Sequence, residues 1–510
     1  MPKRMRLSAK LNTITFLLLV PFFLQAAITK GPYLVHPEQT SMTIMWESDN
    51  SQSASINYGT TVGMTQNLTV QPFADKDDFY LYKVTLDKLS PDSKYYYKVK
   101  LADGAEHTSF FKTNPSAKSE ITFIAIGDSR TGHDVYRTIS KDINSYSPGL
   151  VISMGDLVGT GSHFNEWGPH YFQPASHLID HIPLISTLGD HDERSDGAQT
   201  FFYFFCPGKT AEHIWFSFDY GPAHFVSLDF RGEKDPAMME WFKKDMVASK
   251  AKWKFVYMHR PSYNVGGHRS NWGRGVWPQL FREYQADIVF AGHSHMYERF
   301  FPMRPSSEPN SWPVTFITTG GAGAELYESV PNKNLAKTES KNNLLLFHIS
   351  GDTLELKALY TDKTVFDKLK MIKTNGHYDD AYLSLVHPEE DMDAYMLFAS
   401  RLELRFHEKP TLTKPAKVEL SFPPSDLGQD ISFEIRLSGE SALHYRIKPI
   451  KGVIKKDVPF KGTIELFAKG NVSRKGRYFD PPVLFEARYK TSFTSGVAKG
   501  RESRYYPAKK

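Results

Sequence analysis

"LISTLGDHDE", residues 184–193, runs from apolar residues into a glycine and then sets acid, imidazole, acid and acid in four consecutive positions. Ionisable residues packed at the end of an apolar run suit a metal site, an acid–base site or an ordinary polar turn, and the stretch by itself leaves all three open. The chain repeats the arrangement. "ITFIAIGDSR" (121–130), "GLVISMGDLVG" (149–159), "KFVYMHRPSY" (254–263) and "ADIVFAGHSHMYER" (286–299) are apolar runs that also end in glycine and charge. Residues 135–144 and 236–250, lying between such runs, have helix-compatible spacing. Buried strands alternating with helices predict an α/β layer structure whose polar residues gather at the strand ends, the edge where such sheets bind ligands.

Those ends carry Asp128, Asp156, Asp190 with His191, His259, and His293 with His295. Singly, an Asp after a glycine reads as a turn or helix cap and a buried His as a hydrogen-bonded core residue. Collected at one sheet edge, carboxylates and imidazoles suit divalent or trivalent first-row ions, and a shared carboxylate bridges two ions about 3.5–4 Å apart. The order GD-x, GD-x-x, G-x-H-D, one His after an apolar strand and G-H-x-H resembles the calcineurin-like metallophosphoesterase superfamily. The flanks "AGHSHMYER" and "HRPSYN", the latter followed by His268, are similar to those of purple acid phosphatases and their bacterial relatives.

This resemblance covers residues 28–373. It implies a four-layer sandwich of two mixed sheets flanked by helices, and a dinuclear centre of Fe, Zn or Mn. Asp128, Asp156 and His295 would hold the first ion; Asp156 would bridge; Asp190, His259 and His293 would complete the second. His191 and His268 would face the phosphate and supply a proton to the leaving oxygen, with metal-bound hydroxide attacking in line. Three positions depart from the family. Gly159 stands where the purple enzymes place their colour-giving tyrosine, and Arg130 where they carry glycine and other members a ligand histidine. Asp190 replaces an asparagine whose amide would donate to phosphate, and Arg130, pointing inward, would restore a phosphate-facing cation, so it joins His191 and His268 as a catalytic candidate.

At 510 residues the chain is long enough for several domains. Residues 1–26 read as a signal peptide, with Lys3, Arg4, Arg6 and Lys10 before the short apolar core "TFLLLVPFFL". No later segment is long enough to cross a bilayer, so a periplasmic or secreted protein is expected. The single Cys206, set among phenylalanines, excludes an intramolecular disulfide and reads as a core residue. Residues 28–115 alternate in period two ("SMTIMWES", "SASINYG", "YLYKVTLDKL", "KYYYKVKL") between turn residues, which predicts a β-sandwich resembling fibronectin type III, with Trp46 in its core. Residues 119–373 form the catalytic domain and 374–412 a polar linker, and "KVELSF", "ISFEIRLSG" and "GTIELFAKG" mark strands of a small β domain over 413–510.

Residues 401–510 hold 23 Lys/Arg against 12 Asp/Glu. That surplus suits a solvated face or contact with an anionic cell-envelope polymer; nucleic acid is not an expected partner. The function expected is an exported phosphatase acting on small phosphomonoesters. The alternatives are a phosphodiesterase or nucleotidase of the same superfamily, or a catalytically weak envelope-binding protein on the same scaffold.

Overall fold

In a computed structural model, the strand Ile121–Ile126 divides its side chains in the manner of a strand covered on both faces. Ile121, Phe123 and Ala125 join one core cluster while Ile124 and Ile126 join another, because successive side chains point to opposite sides. The structure describes residues 27–506 apart from 50, 103, 207–213, 426, 428 and 493. The expected signal peptide at 1–26 lies outside the described residues. No helix among those residues is long and apolar enough to cross a membrane.

Two seven-stranded sheets face each other. In the first, Leu184–Ser186 and Leu150–Ser153 run parallel beside Ile121–Ile126, and Asn343–Ser350, Thr353–Tyr360 and Val365–Thr374 continue antiparallel. In the second, Ala223–Ser227, Trp253–Met258, Ile288–Ala291 and Thr315–Thr319 are parallel. Between the sheets Phe123 stacks on Phe347 with centroids 4.5 Å apart, and Phe225 meets it edge-on at 5.1 Å. Outside the first sheet lie the helices His133–Ser145 and Gln173–Ile179; outside the second lie Pro236–Ala248 and Trp277–Glu283, whose Phe281 packs on the strand residue Phe316. This is the expected four-layer metallophosphoesterase arrangement.

Ahead of it stands a β-sandwich of two four-stranded sheets, with Trp46 buried and stacked on Tyr82 at 5.2 Å. The sandwich is docked on the catalytic domain. Tyr97 Oη donates to Asp180 O at 2.6 Å, His107 Nε2 meets Asp180 Oδ2 at 3.0 Å, and the buried pair Lys30–Glu47 lies over Phe164.

Residues 374–412 differ from the expected polar linker. They contain the helices Asp380–Leu383 and Glu389–Ala399, and the second is buried along most of its length. Phe398 packs against Phe422, Phe433 and Tyr489 of the C-terminal β domain. The acids that made this segment look solvated are paired within the fold. Glu389 binds Arg282 and Tyr263, Asp391 accepts from Lys333 at 2.7 Å, and Asp393 accepts from Arg274 at 3.0 Å. The C-terminal domain therefore shares a core with the rest of the chain and does not hang from a spacer.

Candidate metal centre

The carboxylates of the site come from one sheet and the imidazoles from the other. Asp128, Asp156 and Asp190 follow strands of the first sheet; His259, His293 and His295 follow adjacent strands of the second. Asp128 (φ 58°), Asp156 (φ 58°) and His293 (φ 65°) all take the left-handed backbone conformation, uncommon outside glycine. Non-glycine residues held in that region cluster at functional sites. Glycines are required where the strand ends converge: a Cβ on Gly189 would lie 2.3 Å from Asp156 Oδ1, and one on Gly292 2.4 Å from Asp128 Oδ2. The glycine before Asp190 is thus a close-approach residue.

Two donor sets contain the six expected ligands, Asp190 with His259 and His293, and Asp128 with Asp156 and His295, and a third brings His191 to Asp156 and Asp190. Asp156 links them, since its Oδ1 is 3.4 Å from His259 Nε2, which is itself 3.5 Å from Asp190 Oδ1. His293 Nδ1 is 3.4 Å from Asp190 Oδ2, and His295 Nε2 is 3.5 Å from Asp128 Oδ1. His259 Nδ1 donates to Met154 O at 2.8 Å, so Nε2 is the ring atom turned inward, buried and facing the Asp156 and Asp190 carboxylates. A buried imidazole nitrogen facing carboxylates fits a cation, which takes the place of its proton. Burial opposes charge on His259, but Asp156, Asp190 and Asp128 outweigh it and push the imidazole up to about 10. Burial also drives His293 down to about 2 and His295 down to about 4, leaving both neutral and able to ligate.

Asp190 is the first ionisable residue of the opening stretch. Burial works against its ionisation, yet hydrogen bonding to His259, the charges of His259 and His293, and Arg260 hold the carboxyl well below the usual range. Arg260 Nη2 donates to Asp190 Oδ2 at 2.8 Å and its guanidinium lies over Phe230. Asp192 is fully buried and accepts four backbone N–H bonds, from Asp156, Leu157, Val158 and Gly189, at 2.8–3.2 Å. It ties the Asp156 turn to the Asp190 turn.

The remaining candidates surround these sets. His191 Nδ1 donates to Gly159 O at 2.6 Å, and its Nε2 accepts from Arg194 at 2.9 Å. His268 lies 4.7 Å from His293, ring to ring, and is pushed below its ordinary value by burial and then by Arg501. Arg130 points toward the ligand sets: its Nε donates to Asp156 Oδ2 at 3.0 Å and its Nη2 to His295 Nε2 at 3.2 Å.

Sequence reasoning missed four neighbours. Arg260 was marked by its position after His259 in "HRPSY", and Arg194 by its place three residues after His191. Tyr327, stacked on His295 at 4.4 Å, follows the "GGAGAEL" turn, whose Ala324 N–H donates to Asp128 O at 2.8 Å. Arg501 carried no local signal. It belongs to the C-terminal domain and, with Tyr327, lines a groove of about 660 Å³ where that domain meets the catalytic one.

With this geometry in place, comparisons with known proteins converge. Residues 121–297 match the calcineurin-like phosphoesterase family, and residues 31–113 the N-terminal domain of purple acid phosphatases. A phosphoenolpyruvate phosphatase of Allium cepa is 26% identical over 59% of this chain and 69% of its own length. Purple acid phosphatase 1 of Ipomoea batatas is 27% identical over 50% of this chain and 58% of its own, so little more than half of that relative is spanned. Among solved structures, purple acid phosphatase PPD1 from yellow lupin (Lupinus luteus) seeds superimposes with a TM-score of 0.60 at 17% identity, over 70% of this chain and 75% of that one. This last likeness is one of fold.

Proposed function

Because the chain belongs to the purple acid phosphatase-like calcineurin-like phosphoesterases and is a hydrolase, we propose that it is an exported, metal-dependent phosphatase acting on small phosphomonoesters. The observation that carries this reading is the convergence of two Asp/His donor sets on Asp156. Asp156, Asp190, His259 and His293 would hold one ion, and Asp128, Asp156 and His295 form the second set; Fe, Zn and Mn all suit these ligands. When bound, such an ion would neutralise phosphate charge and lower the pKa of a water.

The chain's own groups supply the rest. Arg130, Arg194 and Arg260 put guanidinium donors around the position of the phosphate, where planar N–H pairs match its oxygens. His268 is the proton donor to the leaving oxygen, since His191 uses Nδ1–H on Gly159 O and accepts from Arg194 at Nε2. His191 instead orients Arg194. Export is supported by the basic head and apolar core of residues 1–26, and an anionic envelope polymer as partner by the basic surplus of residues 401–510.

The test is hydrolysis of an aryl phosphate and its bis-aryl diester by purified protein with and without chelator. Metal-dependent turnover that favours the monoester, lost in a folded His293→Ala variant, is expected. Turnover surviving both chelation and His293→Ala would refute it.

A further inference from the structure

The donor set that the family gives to the first ion already surrounds a cation that the chain itself supplies. Arg130 donates to Asp156 Oδ2 at 3.0 Å and to His295 Nε2 at 3.2 Å, with its side chain only 14% exposed. His295 can accept there because its Nδ1–H is committed to Glu325 O at 2.7 Å. The third member, Asp128, takes the backbone N–H of His293 on both oxygens, at 2.9 and 3.1 Å. Two of the three donors of this set are thus engaged by one guanidinium. The other set differs, for Arg260 engages only Asp190 Oδ2 there, at 2.8 Å, and both imidazole nitrogens, His259 Nε2 and His293 Nδ1, face carboxylates and no guanidinium.

We propose that this centre is built for a single metal ion, held by Asp156, Asp190, His259 and His293, and that the Arg130 guanidinium stands permanently in the place of the first ion. The inference rests on the metal-dependent reading above and narrows it. An ion on His295 must approach Nε2 to about 2.0–2.1 Å and use the one lone pair that Arg130 occupies, and an ion on Asp156 Oδ2 must share that oxygen with the guanidinium. Arg130 cannot yield by losing a proton, since a guanidinium stays charged throughout the range in which proteins are folded. Two like charges a few ångströms apart in a buried site repel strongly. Positions 130 and 159 reinforce each other: Gly159 offers no ligand to the first ion, and Arg130 offers a charge in its stead. Two of the five guanidinium N–H donors are used by Asp156 and His295, which leaves others for a phosphate oxygen.

The experiment is metal stoichiometry. Purified wild type, Arg130→His and Arg130→Gly are stripped, reconstituted with excess Mn(II), desalted and analysed by elemental mass spectrometry, with electron paramagnetic resonance on the same samples. One Mn per wild-type chain with a spectrum free of exchange coupling is expected, rising to two coupled ions per chain in Arg130→His, which restores an imidazole. Two ions per wild-type chain would overturn the inference while leaving the metal-dependent phosphatase reading intact. One ion in wild type and in both variants alike would overturn it too, since Arg130 would then not be what excludes the second ion. No bound Mn in folded wild type would overturn both. The wild-type count requires no variant to fold.

Discussion

Asp192→Asn should loosen the centre without replacing any candidate ligand. Asp192 Oδ2 accepts from Asp156 N at 2.8 Å and Gly189 N at 3.0 Å; Oδ1 accepts from Leu157 N at 2.8 Å and Val158 N at 3.2 Å. Asparagine is nearly the same shape but offers one oxygen and one NH2 group. Whichever way the amide faces, two backbone N–H donors confront another donor inside a fully buried pocket. An unsatisfied buried donor costs about 1–3 kcal/mol, so the pair costs about 4 kcal/mol. In a domain of this size that lowers Tm by roughly 8–16 °C. Asp192→Ala, which strands all four donors, should cost more. Calorimetry of the catalytic-domain transition checks the magnitude, and hydrogen exchange over residues 155–160 and 187–192 locates it, because the protection lost should be confined to the tied turns. Metal affinity should fall with it, since His191 N–H donates to Asp156 Oδ1 at 2.8 Å from the same junction. An Asp192→Asn protein that melts within about 1 °C of wild type with unchanged exchange would refute the account.

Asp190→Asn should weaken metal binding but raise the ratio of monoester to diester kcat/KM at saturating metal, because the lost negative charge repelled a phosphate dianion more than a monoanion; an unchanged ratio would place Asp190 away from the substrate. Lys30→Met leaves Glu47 buried between the first two domains without its cation and should cost about 3–5 kcal/mol, while the double change Lys30→Met with Glu47→Leu should recover most of it. Equal melting of single and double variants would show that the pair is not coupled. Burial pushes Glu298 up to about 7, above the ordinary carboxylate value, so the folded state binds the extra proton between about pH 4.3 and 7 and stability falls as pH rises through that window. Glu298→Gln should flatten this slope in denaturant titrations, and an unaltered slope would remove Glu298 as its source.

The strand ends were legible because strands covered on both faces must be apolar throughout, so the first acid or imidazole after the run marks the sheet edge. The Asp and His candidates needed only that rule and the family order, and the structure brings the six expected ligands into two linked sets. The segment 374–412 was not legible for the opposite reason. Glu389, Asp391 and Asp393 look solvated in sequence, and their partners Arg282, Lys333 and Arg274 lie 58 to 119 positions away. Arg501 was hidden by a separation of more than two hundred residues from His268, whose titration it affects. Pairings fixed by tertiary packing leave no trace in local pattern.

The three departures from the family bear on one another through charge. A buried carboxylate must be paired or hydrogen-bonded, or it will hold its proton. Asp190, charged where the family has a neutral amide, is paired with Arg260 at 2.8 Å; Asp156 is paired with Arg130 at 3.0 Å. Each acid therefore has its own guanidinium, a balance that in a two-ion centre falls largely to the metals. Removing Arg130 without replacement would leave Asp156 short of positive charge at the moment that Oδ2 and His295 Nε2 become free. Uptake of a second ion is then the least costly way to restore neutrality, so a change at position 130 should alter metal number before it alters the fold.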